Sequence, residues 1–437
     1  MKRYTQTAAL LSLLCMGLGQ LYNRQFKKGI VFLAAHAAGL LYAIRYVPGA
    51  LKGLVTLGEQ SSRIELVGKI YRHIPGDHSI YLMIEGLIVL LLAAVYVFIY
   101  WLNVKDAQHV GRMRASGLVP RTFRQDVSAL LDRKFAYLML ILPGIGILVF
   151  TVMPIIFMIL LAFTNYSAPD HIPPAKLVDW AGFQSFVDLL QLKTWSNTFY
   201  GILGWTIVWA VLSTVTTYFG GIFVALLIQK RGIRLKTVWR TILILPYAIP
   251  QIISLLVMRN LFNGQFGPVN QYLSYFGLGK LPWLTDPLWA KATVITVNMW
   301  IGMPLTMVLM IGVLSTIPKE LYEAAEVDGA SRMRQFRFIT LPMILFSTAP
   351  ILIIQFAGNF NNFNVIYLMT NGNPVQPDYQ YAGSTDLLVT WLYKLTLETN
   401  NFNTASAIGI IIFIIVAGLS VGSYRRSRSF REEDMIQ

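Results

Sequence analysis

The chain has 437 residues, of which 55% are hydrophobic and only 13% are charged. Soluble proteins carry about 25% charged residues, so this composition excludes an ordinary water-soluble domain and indicates a protein with much of its surface in lipid. The net charge of +15 would suit a nucleic-acid partner, but the basic residues are confined to loops between apolar segments, and we therefore expect no nucleic acid.

Eight apolar runs reach the length of roughly 20 residues that crosses the hydrocarbon of a bilayer. They lie at about 29–46, 79–102, 136–164, 198–228, 240–262, 292–316, 341–363 and 404–423. The sequence therefore predicts an all-α, polytopic helical bundle of about eight transmembrane helices, with the last six forming a core. A shorter apolar run at 7–22 has no small-residue cleavage site, so we expect a re-entrant or interfacial helix rather than a signal peptide.

Loops between these runs alternate in charge, which predicts their sides of the membrane. The loop at 364–403 has only Lys394 against three acidic residues, which is typical of an external loop. The basic residues of the other loops and of the tail are Lys105, Arg112, Arg114, Arg121, Arg124, Arg133, Lys134, Lys230, Arg231, Arg234, Lys236, Arg240, Arg425, Arg426, Arg428 and Arg431. This pattern places those loops, the segment 317–340 and the C-terminus in the cytoplasm.

Amide side chains occur inside two of the predicted spans. Asn298 lies in the sixth span, and Gln355, Asn359 and Asn362 lie in the seventh, where their spacing would place them on one helix face. Such groups need partners, because lipid offers none. Amides suit the hydroxyls of a sugar, with Trp300, Phe356 and Phe360 as candidate ring platforms. They suit hydrogen bonds between helices equally well, and the spacing alone leaves both alternatives open.

One polar segment between the sixth and seventh spans has an unusual pattern. It reads Glu323-Ala324-Ala325-Glu326-Val327-Asp328-Gly329, followed after a basic run by Ile339-Thr340-Leu341-Pro342. The two alanines predict a helix with a narrow ridge. Gly329 is expected to end this helix by adopting left-handed backbone angles, and Asp328 is expected to stabilise the turn through its side chain. Leu341-Pro342 is expected to open the next helix, since proline is tolerated in a first turn.

This segment resembles the EAA loop of binding-protein-dependent ABC importers. From about residue 136 to 423 the chain is similar to the MalF-type permeases of maltose and maltodextrin importers. The likeness includes Phe163-Thr164-Asn165-Tyr166-Ser167, Leu245-Pro246-Tyr247-Ala248-Ile249-Pro250, Val297-Asn298-Met299-Trp300-Ile301-Gly302 and Ala382-Gly383-Ser384-Thr385-Asp386-Leu387-Leu388-Val389. The resemblance implies three parts: N-terminal membrane helices and a basic loop at 1–135, the importer core at 136–423 with its coupling loop at 317–340, and a cytoplasmic tail at 424–437.

The resemblance also implies which residues contact sugar and which dock on an ATPase. The positions that match sugar contacts in the family are Asn298, Ile301, Gly302, Asn359 and Asn362. Three further positions depart from the best-known member: Leu305 replaces a tyrosine, Gly358 a phenylalanine and Gln355 a serine, which implies a wider site with fewer aromatic rings. The expected coupling residues are Glu323, Ala324, Ala325, Asp328, Gly329, Leu341 and Pro342.

The chain has no phosphate-binding loop of the G-x-x-x-x-G-K-[ST] type and no nucleophilic triad, so it is not expected to be an enzyme by itself. The resemblance implies a multi-pass subunit of the bacterial cell membrane that carries an oligosaccharide of the maltodextrin type. Its implied partners are a second homologous permease, an ATPase homodimer that holds ATP and Mg, and an extracellular sugar-binding protein. The alternative is an ion-coupled secondary sugar transporter, which would need acidic residues in core spans and inverted repeats.

Overall fold

The computed structural model describes residues 2–67, 70–132, 135–172, 176–230 and 232–426. This described part consists mostly of helices, together with one two-stranded hairpin. In chain order the elements are α1 (Lys2–Leu14), α2 (Leu18–Tyr22), α3 (Phe26–Thr56), β1 (Arg63–Val67), β2 (Ile70–Ile74), α4 (Ser79–Ala115), α5 (Phe123–Asp132), α6 (Phe135–Ile147), α7 (Met153–Ala162), α8 (Gln184–Gln191), α9 (Lys193–Gln229), α10 (Lys236–Ala248), α11 (Gln251–Leu261), α12 (Pro268–Tyr275), α13 (Pro287–Thr316), α14 (Lys319–Val327), α15 (Arg332–Gln335), α16 (Leu341–Phe360), α17 (Phe363–Met369), α18 (Leu388–Leu397) and α19 (Phe402–Arg426). Of the basic residues named above, Arg133, Lys134, Arg231, Arg428 and Arg431 lie outside the described residues, as does most of the predicted tail.

The predicted helical membrane bundle is confirmed. Within the described part of the chain, seven helical segments are long and apolar enough to cross a membrane, and a bent pair raises the number to eight. The helices are longer than the apolar runs that predicted them: the run at 198–228 is part of the 37-residue α9. Polar residues can extend a helix beyond the hydrocarbon, so hydropathy underestimates its length.

The predicted span at 240–262 is a bent pair of helices rather than one continuous helix. It consists of α10 and α11, whose axes differ by 92°. The break lies at Ile249, whose ψ of 136° is extended rather than helical. Pro250 causes this conformation, because a proline disfavours helical angles in the residue before it and has no N–H to continue the ladder.

Two π-helical turns precede prolines in other spans. Leu148–Val152 leads directly into Met153-Pro154, and Phe336–Thr340 leads into Leu341-Pro342. A proline ring clashes with the carbonyl four residues earlier, and a wider turn makes room for it. The α-helix that contains Pro342 therefore begins at Leu341 as expected, but it continues a helix from α15 instead of following a loop.

The chain forms two compact units, Met1–Gly182 and Phe183–Gln437. In the first unit, α1 and α2 form a short helical hairpin packed on α4. The start of α1 lies close to the end of α2, since the ring centroids of Tyr4 and Tyr22 are 4.8 Å apart. Gln20 donates to the carbonyl of Asn103 (3.0 Å), and Asn103 accepts from the amide of Gly17 (3.3 Å). At 13 residues, or about 20 Å, α1 is too short to cross a bilayer, and the hairpin has the geometry of a segment that enters and leaves on one side.

The hairpin of β1 and β2 was not predicted from the sequence. The strands are antiparallel, with Arg63 opposite Ile74 and Val67 opposite Ile70. A two-stranded hairpin with five residues in each strand is too small to bury a core by itself, so the hairpin is an elaboration of the loop between α3 and α4.

The second unit is organised around the long helices α9 and α13, which pack glycine against threonine where they cross. A Cβ added to Gly221 on α9 would lie 2.6 Å from Thr306 on α13, and one added to Gly302 on α13 would lie 2.8 Å from Thr217 on α9. The threonine side chain of each helix thus packs against the glycine of the other helix. Small residues at such crossings let membrane helices approach closely and gain dispersion energy.

A buried ion pair holds the loop between α17 and α18. Lys394 donates to Asp386 at 2.7 Å and to the carbonyl of Asn371 at 2.8 Å. Asp386 is fully buried and also accepts from the amide of Gly383 and the hydroxyl of Thr390. Burial raises the pKa of the Asp386 carboxyl, while the ammonium group and the hydrogen bonds act in the opposite direction.

Replacing Lys394 by methionine should therefore destabilise the protein by about 3–5 kcal/mol, because it leaves a buried carboxylate without its cation. Chemical denaturation of the purified full-length protein measures the loss. The control is Lys176→Met, which removes an exposed partner of Asp170 and should cost less than about 1 kcal/mol. Equal losses in the two variants would contradict a special role for the buried pair.

Candidate substrate site and coupling helix

The break between α10 and α11 opens a cavity of about 840 Å³ against α13 and α16. Four of the eight sequence-predicted sugar residues line it: Ile301, Gly302, Leu305 and Gln355. The remaining lining residues are Pro246, Tyr247, Ala248, Ile249, Pro250, Gln251, Thr306, Leu309, Ile351 and Ile354. The cavity is mostly apolar with a few polar groups, which is the usual composition of a small-molecule site.

The side-chain amides of Gln251 and Gln355 give this cavity polar groups, and the ring of Tyr247 gives it a flat surface. Gln355 is half-buried, and Tyr247 is 54% exposed. Gln251 accepts a hydrogen bond from the side-chain amide of Asn364 (3.1 Å), which fixes its orientation at the start of α11. Tyr247 and Gln251 were not among the predicted site residues, although prolines 246 and 250 are a signal in the sequence that the backbone opens there.

The other predicted amides form a cluster beside the cavity. Asn362 donates to Asn298 (3.0 Å), and Asn298 donates to Asn359 (3.4 Å). Asn359 donates in turn to the hydroxyl of Thr214 on α9 (3.0 Å). Asn298 and Asn359 are buried, and Asn362 is half-buried. These contacts are hydrogen bonds between helices, so in this conformation the amides connect α9, α13 and α16, and their sugar contacts stay a prediction.

Asn359 and Asn362 do not share a helix face, contrary to the expectation from their spacing. Helix α16 ends at Phe360, and Asn362 is the N-cap of α17, where its side chain accepts from the amide of Val365 (3.3 Å). Asparagine favours such a cap because its oxygen replaces a missing backbone acceptor. The two amides meet through Asn298 instead of through helical periodicity.

The candidate ring platforms are only partly available. Phe360 is fully buried and therefore cannot cover a sugar face as expected, while Phe356 is half-buried and packs against the same core cluster. Trp300 is half-buried. Gly358 has open space where a side chain would be, and Leu305 is 53% exposed. Of these two positions Leu305 lines the cavity and Gly358 does not, and the wider site stays a prediction.

The EAA-like segment forms α14 and ends in a Schellman motif. Gly329 has a φ of +75°, its amide donates to the carbonyl of Glu326 (3.1 Å), and the amide of Ala330 donates to Ala325 (2.8 Å). The predicted helix and its glycine stop are thus present. Among the described contacts Asp328 makes no side-chain hydrogen bond, so the expected stabilisation of the turn by its carboxylate was wrong.

Most side chains of α14 are exposed, and one hydrogen bond connects the helix to the following span. Glu323 and Ala324 are exposed, Ala325 is half-buried, and Val327 is 88% exposed. Tyr322 forms a hydrogen bond of 2.9 Å with Thr340, which directly precedes Leu341-Pro342. This hydrogen bond links α14 to the residue that precedes α16.

Comparison with known proteins agrees with this architecture. The family model described as "Binding-protein-dependent transport system inner membrane component" matches residues 217–427. The galactooligosaccharides transport system permease protein GanP of Bacillus subtilis is 38% identical over 99% of this chain and 100% of its own length. The maltodextrin transport system permease protein MdxF of the same organism is 37% identical over 98% of this chain and 97% of its own.

A solved structure gives the same result. The crystal structure of a bacterial ABC transporter involved in the import of the acidic polysaccharide alginate matches with a TM-score of 0.58 and 27% identity, over 69% of this chain and 98% of the matched one. The predicted likeness is confirmed, and the ion-coupled alternative is set aside. The chain belongs to the binding-protein-dependent inner membrane components, as a multi-pass, non-enzymatic permease subunit of a bacterial carbohydrate ABC importer.

Proposed function

We propose that this chain carries an oligosaccharide of the maltodextrin class into the cell. Its partners in this proposal are a second homologous permease, an ATPase homodimer that binds ATP and Mg, and an extracellular sugar-binding protein. The observation that carries the proposal is the match over nearly the full chain to two oligosaccharide permeases. The alginate transporter was also crystallised with a periplasmic protein that holds an alginate pentasaccharide, which supports a binding-protein partner.

The proposed sugar site is the cavity at the break between α10 and α11. Gln251 and Gln355 offer amide donors and acceptors to hydroxyl groups, and the ring of Tyr247 can cover the apolar face of a pyranose. The asparagine cluster adjoins this site, and Asn362 is its most accessible member. A change in the angle between α13 and α16 would exchange the amide–amide bonds for bonds to the sugar, since both use the same donors and acceptors.

In the proposed cycle, α14 sits in a cleft of the ATPase, with Ala324 and Ala325 permitting close approach and Glu323 meeting a basic residue. ATP-driven closure of the ATPase pulls α14, and the Tyr322–Thr340 contact transmits the movement to α16. The site then faces alternately outward and inward, as a shift between two populated states.

The direct test is uptake of labelled sugars by proteoliposomes that contain the assembled importer and its binding protein. Maltotriose and a galactosyl trisaccharide are compared, because the relative GanP is named for galactooligosaccharides and supports that class as the second candidate. ATP-dependent uptake of maltotriose is the expected result. A preference for the galactosyl sugar would shift the substrate class, and uptake of neither sugar would contradict the proposal.

The variant Gln355→Ala should raise the KM for uptake by about tenfold, because the loss of two hydrogen bonds to substrate costs roughly 1.4 kcal/mol or more. The control is Gln271→Ala, which removes an exposed amide on α12 whose bond is to the carbonyl of Phe266. Membrane amounts of both variants are measured by immunoblot. A KM for Gln355→Ala that equals the control's would remove this residue from the sugar site.

The asparagine cluster allows a second comparison. Asn362→Ala should reduce uptake more than it reduces the amount of protein in the membrane, whereas Asn359→Ala removes bonds to both α9 and α13 and should reduce both. The same assays measure these effects. If Asn362→Ala protein were lost from the membrane to the same degree, the cluster would serve only to hold the helices together.

A further inference from the structure

A second cavity, of about 390 Å³, lies in the first unit where α3 begins and α4 ends. The alternation of charge between loops places this end of both helices on the cytoplasmic side. Its walls come from the segment 23–28, from the last turn of α4 and from the segment 119–123 before α5. Five basic residues line it: Arg24, Lys27, Lys28, Arg114 and Arg121.

Only one of these five charges is neutralised within the described part of the protein. Lys28 is held by two carboxylates, at 2.6 Å from Asp106 and 3.0 Å from Asp126. Among the residues that the structure describes, Arg24, Lys27, Arg114 and Arg121 have no ion pair. Four cations around one small space repel one another, and an anion between them would lower this energy.

Hydrogen-bond donors in the cavity wall lack acceptors. The Nε atom of Arg114 is buried and has no partner in the described structure. Helix α3 begins at Phe26 without a side-chain cap, so the cavity adjoins the unbonded amides and the positive end of a 31-residue helix. Guanidinium groups and helix N-termini together match the geometry of phosphate oxygens.

The rim of the cavity is apolar and open. Phe26 is 62% exposed, Phe123 is 41% exposed and Val119 is 88% exposed. A ligand with a phosphate and an apolar portion would fill both parts. We propose that this cavity binds a phosphate ester, supplied either by the headgroup of an anionic phospholipid or by a soluble phosphate compound. The bound phosphate joins the starts of α3 and α5 to the end of α4.

The test titrates the full-length protein, purified in an uncharged detergent, with phosphatidylglycerol or with phosphatidylcholine of the same acyl chains. Native mass spectrometry measures the bound fraction. The wild-type protein should bind phosphatidylglycerol about tenfold more tightly than phosphatidylcholine. The double variant Arg24→Gln/Lys27→Gln, in which both residues are exposed, should lose most of this preference, as should Arg114→Gln.

The control is Arg112→Gln/Arg124→Gln, which removes two exposed charges nearby that do not line the cavity and should change affinity by less than about twofold. Competition with glycerol 3-phosphate separates the sources: displacement of the lipid assigns the site to phosphate compounds in general, and continued lipid binding assigns it to lipid. An equal loss in the cavity and control variants, or the absence both of a preference for phosphatidylglycerol and of binding of glycerol 3-phosphate, would overturn the proposal.

Discussion

The variant Gly329→Val should reduce ATP-dependent uptake by about tenfold or more while the protein remains in the membrane. A left-handed conformation at a non-glycine residue costs roughly 1–2 kcal/mol, and a β-branched side chain lies at the upper end. Helix α14 has only nine residues and makes few contacts that could compensate for this cost. Loss of its Schellman motif would fray the surface that is proposed to meet the ATPase.

The chain contains a matched control for this experiment. Gly277 ends α12 in the same motif, with a φ of +73°, a bond from its own amide to Ser274 (3.1 Å) and one from Leu278 to Leu273 (2.9 Å). Both glycines have open space around an added Cβ. Gly277→Val therefore carries the same backbone cost outside the coupling segment. If both variants lost uptake equally, the effect would be general destabilisation, and the coupling role of α14 would be wrong.

The variant Gly221→Val should prevent normal accumulation of the protein, with a reduction of about tenfold in the membrane. The new side chain would meet Thr306 at 2.6 Å and the backbone amide of Met307 at 3.0 Å, and the backbone cannot move aside as a flexible side chain can. Overpacking of a tight core costs typically about 1–3 kcal/mol, and here it separates the two helices around which the second unit is built.

Gly312→Val is the control, because Gly312 lies on α13 and an added Cβ there meets nothing within 4 Å. Immunoblotting and size-exclusion chromatography of both variants measure the effect. The compensating double variant Gly221→Val/Thr306→Ala should recover part of the loss, since alanine removes the threonine Cγ2, one of the two Thr306 atoms at 2.6 Å, and keeps the other, Cβ. No difference between Gly221→Val and Gly312→Val would show that the crossing of α9 and α13 tolerates a wider separation.

Composition and hydropathy predicted the helical bundle because the bilayer imposes one length on every span. Local chemistry also predicted the end of α14, since few residues other than glycine adopt a φ of +75° without strain. Pro246 and Pro250 indicated a disturbance within this span, but hydropathy measures polarity and not direction, so the size of the bend at Ile249 was not predicted. The π turns before Pro154 and Pro342 were missed for a related reason: proline indicates a disturbance of the helix but does not say how the chain absorbs it.

The candidate site was predicted in part. Ile301, Gly302, Leu305 and Gln355 line one cavity, and the three asparagines meet beside it. That the amides bond to one another depends on contacts between α13 and α16, which no spacing along the sequence specifies. Gly302 lines the cavity, and the methyl group of Thr217 occupies the space where a side chain at this position would be. Such reciprocal packing is visible only when both helices are in place.

The bend at Ile249 has a consequence for the chemistry of recognition. Pro250 has no N–H to offer the carbonyl of Pro246, and Pro246 has none for the carbonyl of Ile242. In the proposed sugar site, main-chain oxygens near the cavity thereby lack their helical donors and can accept hydrogen bonds from sugar hydroxyls, whatever the neighbouring side chains are. Relatives that transport different glycans could share these acceptors and differ only in the groups around them, so that the backbone provides general affinity and the side chains select the sugar.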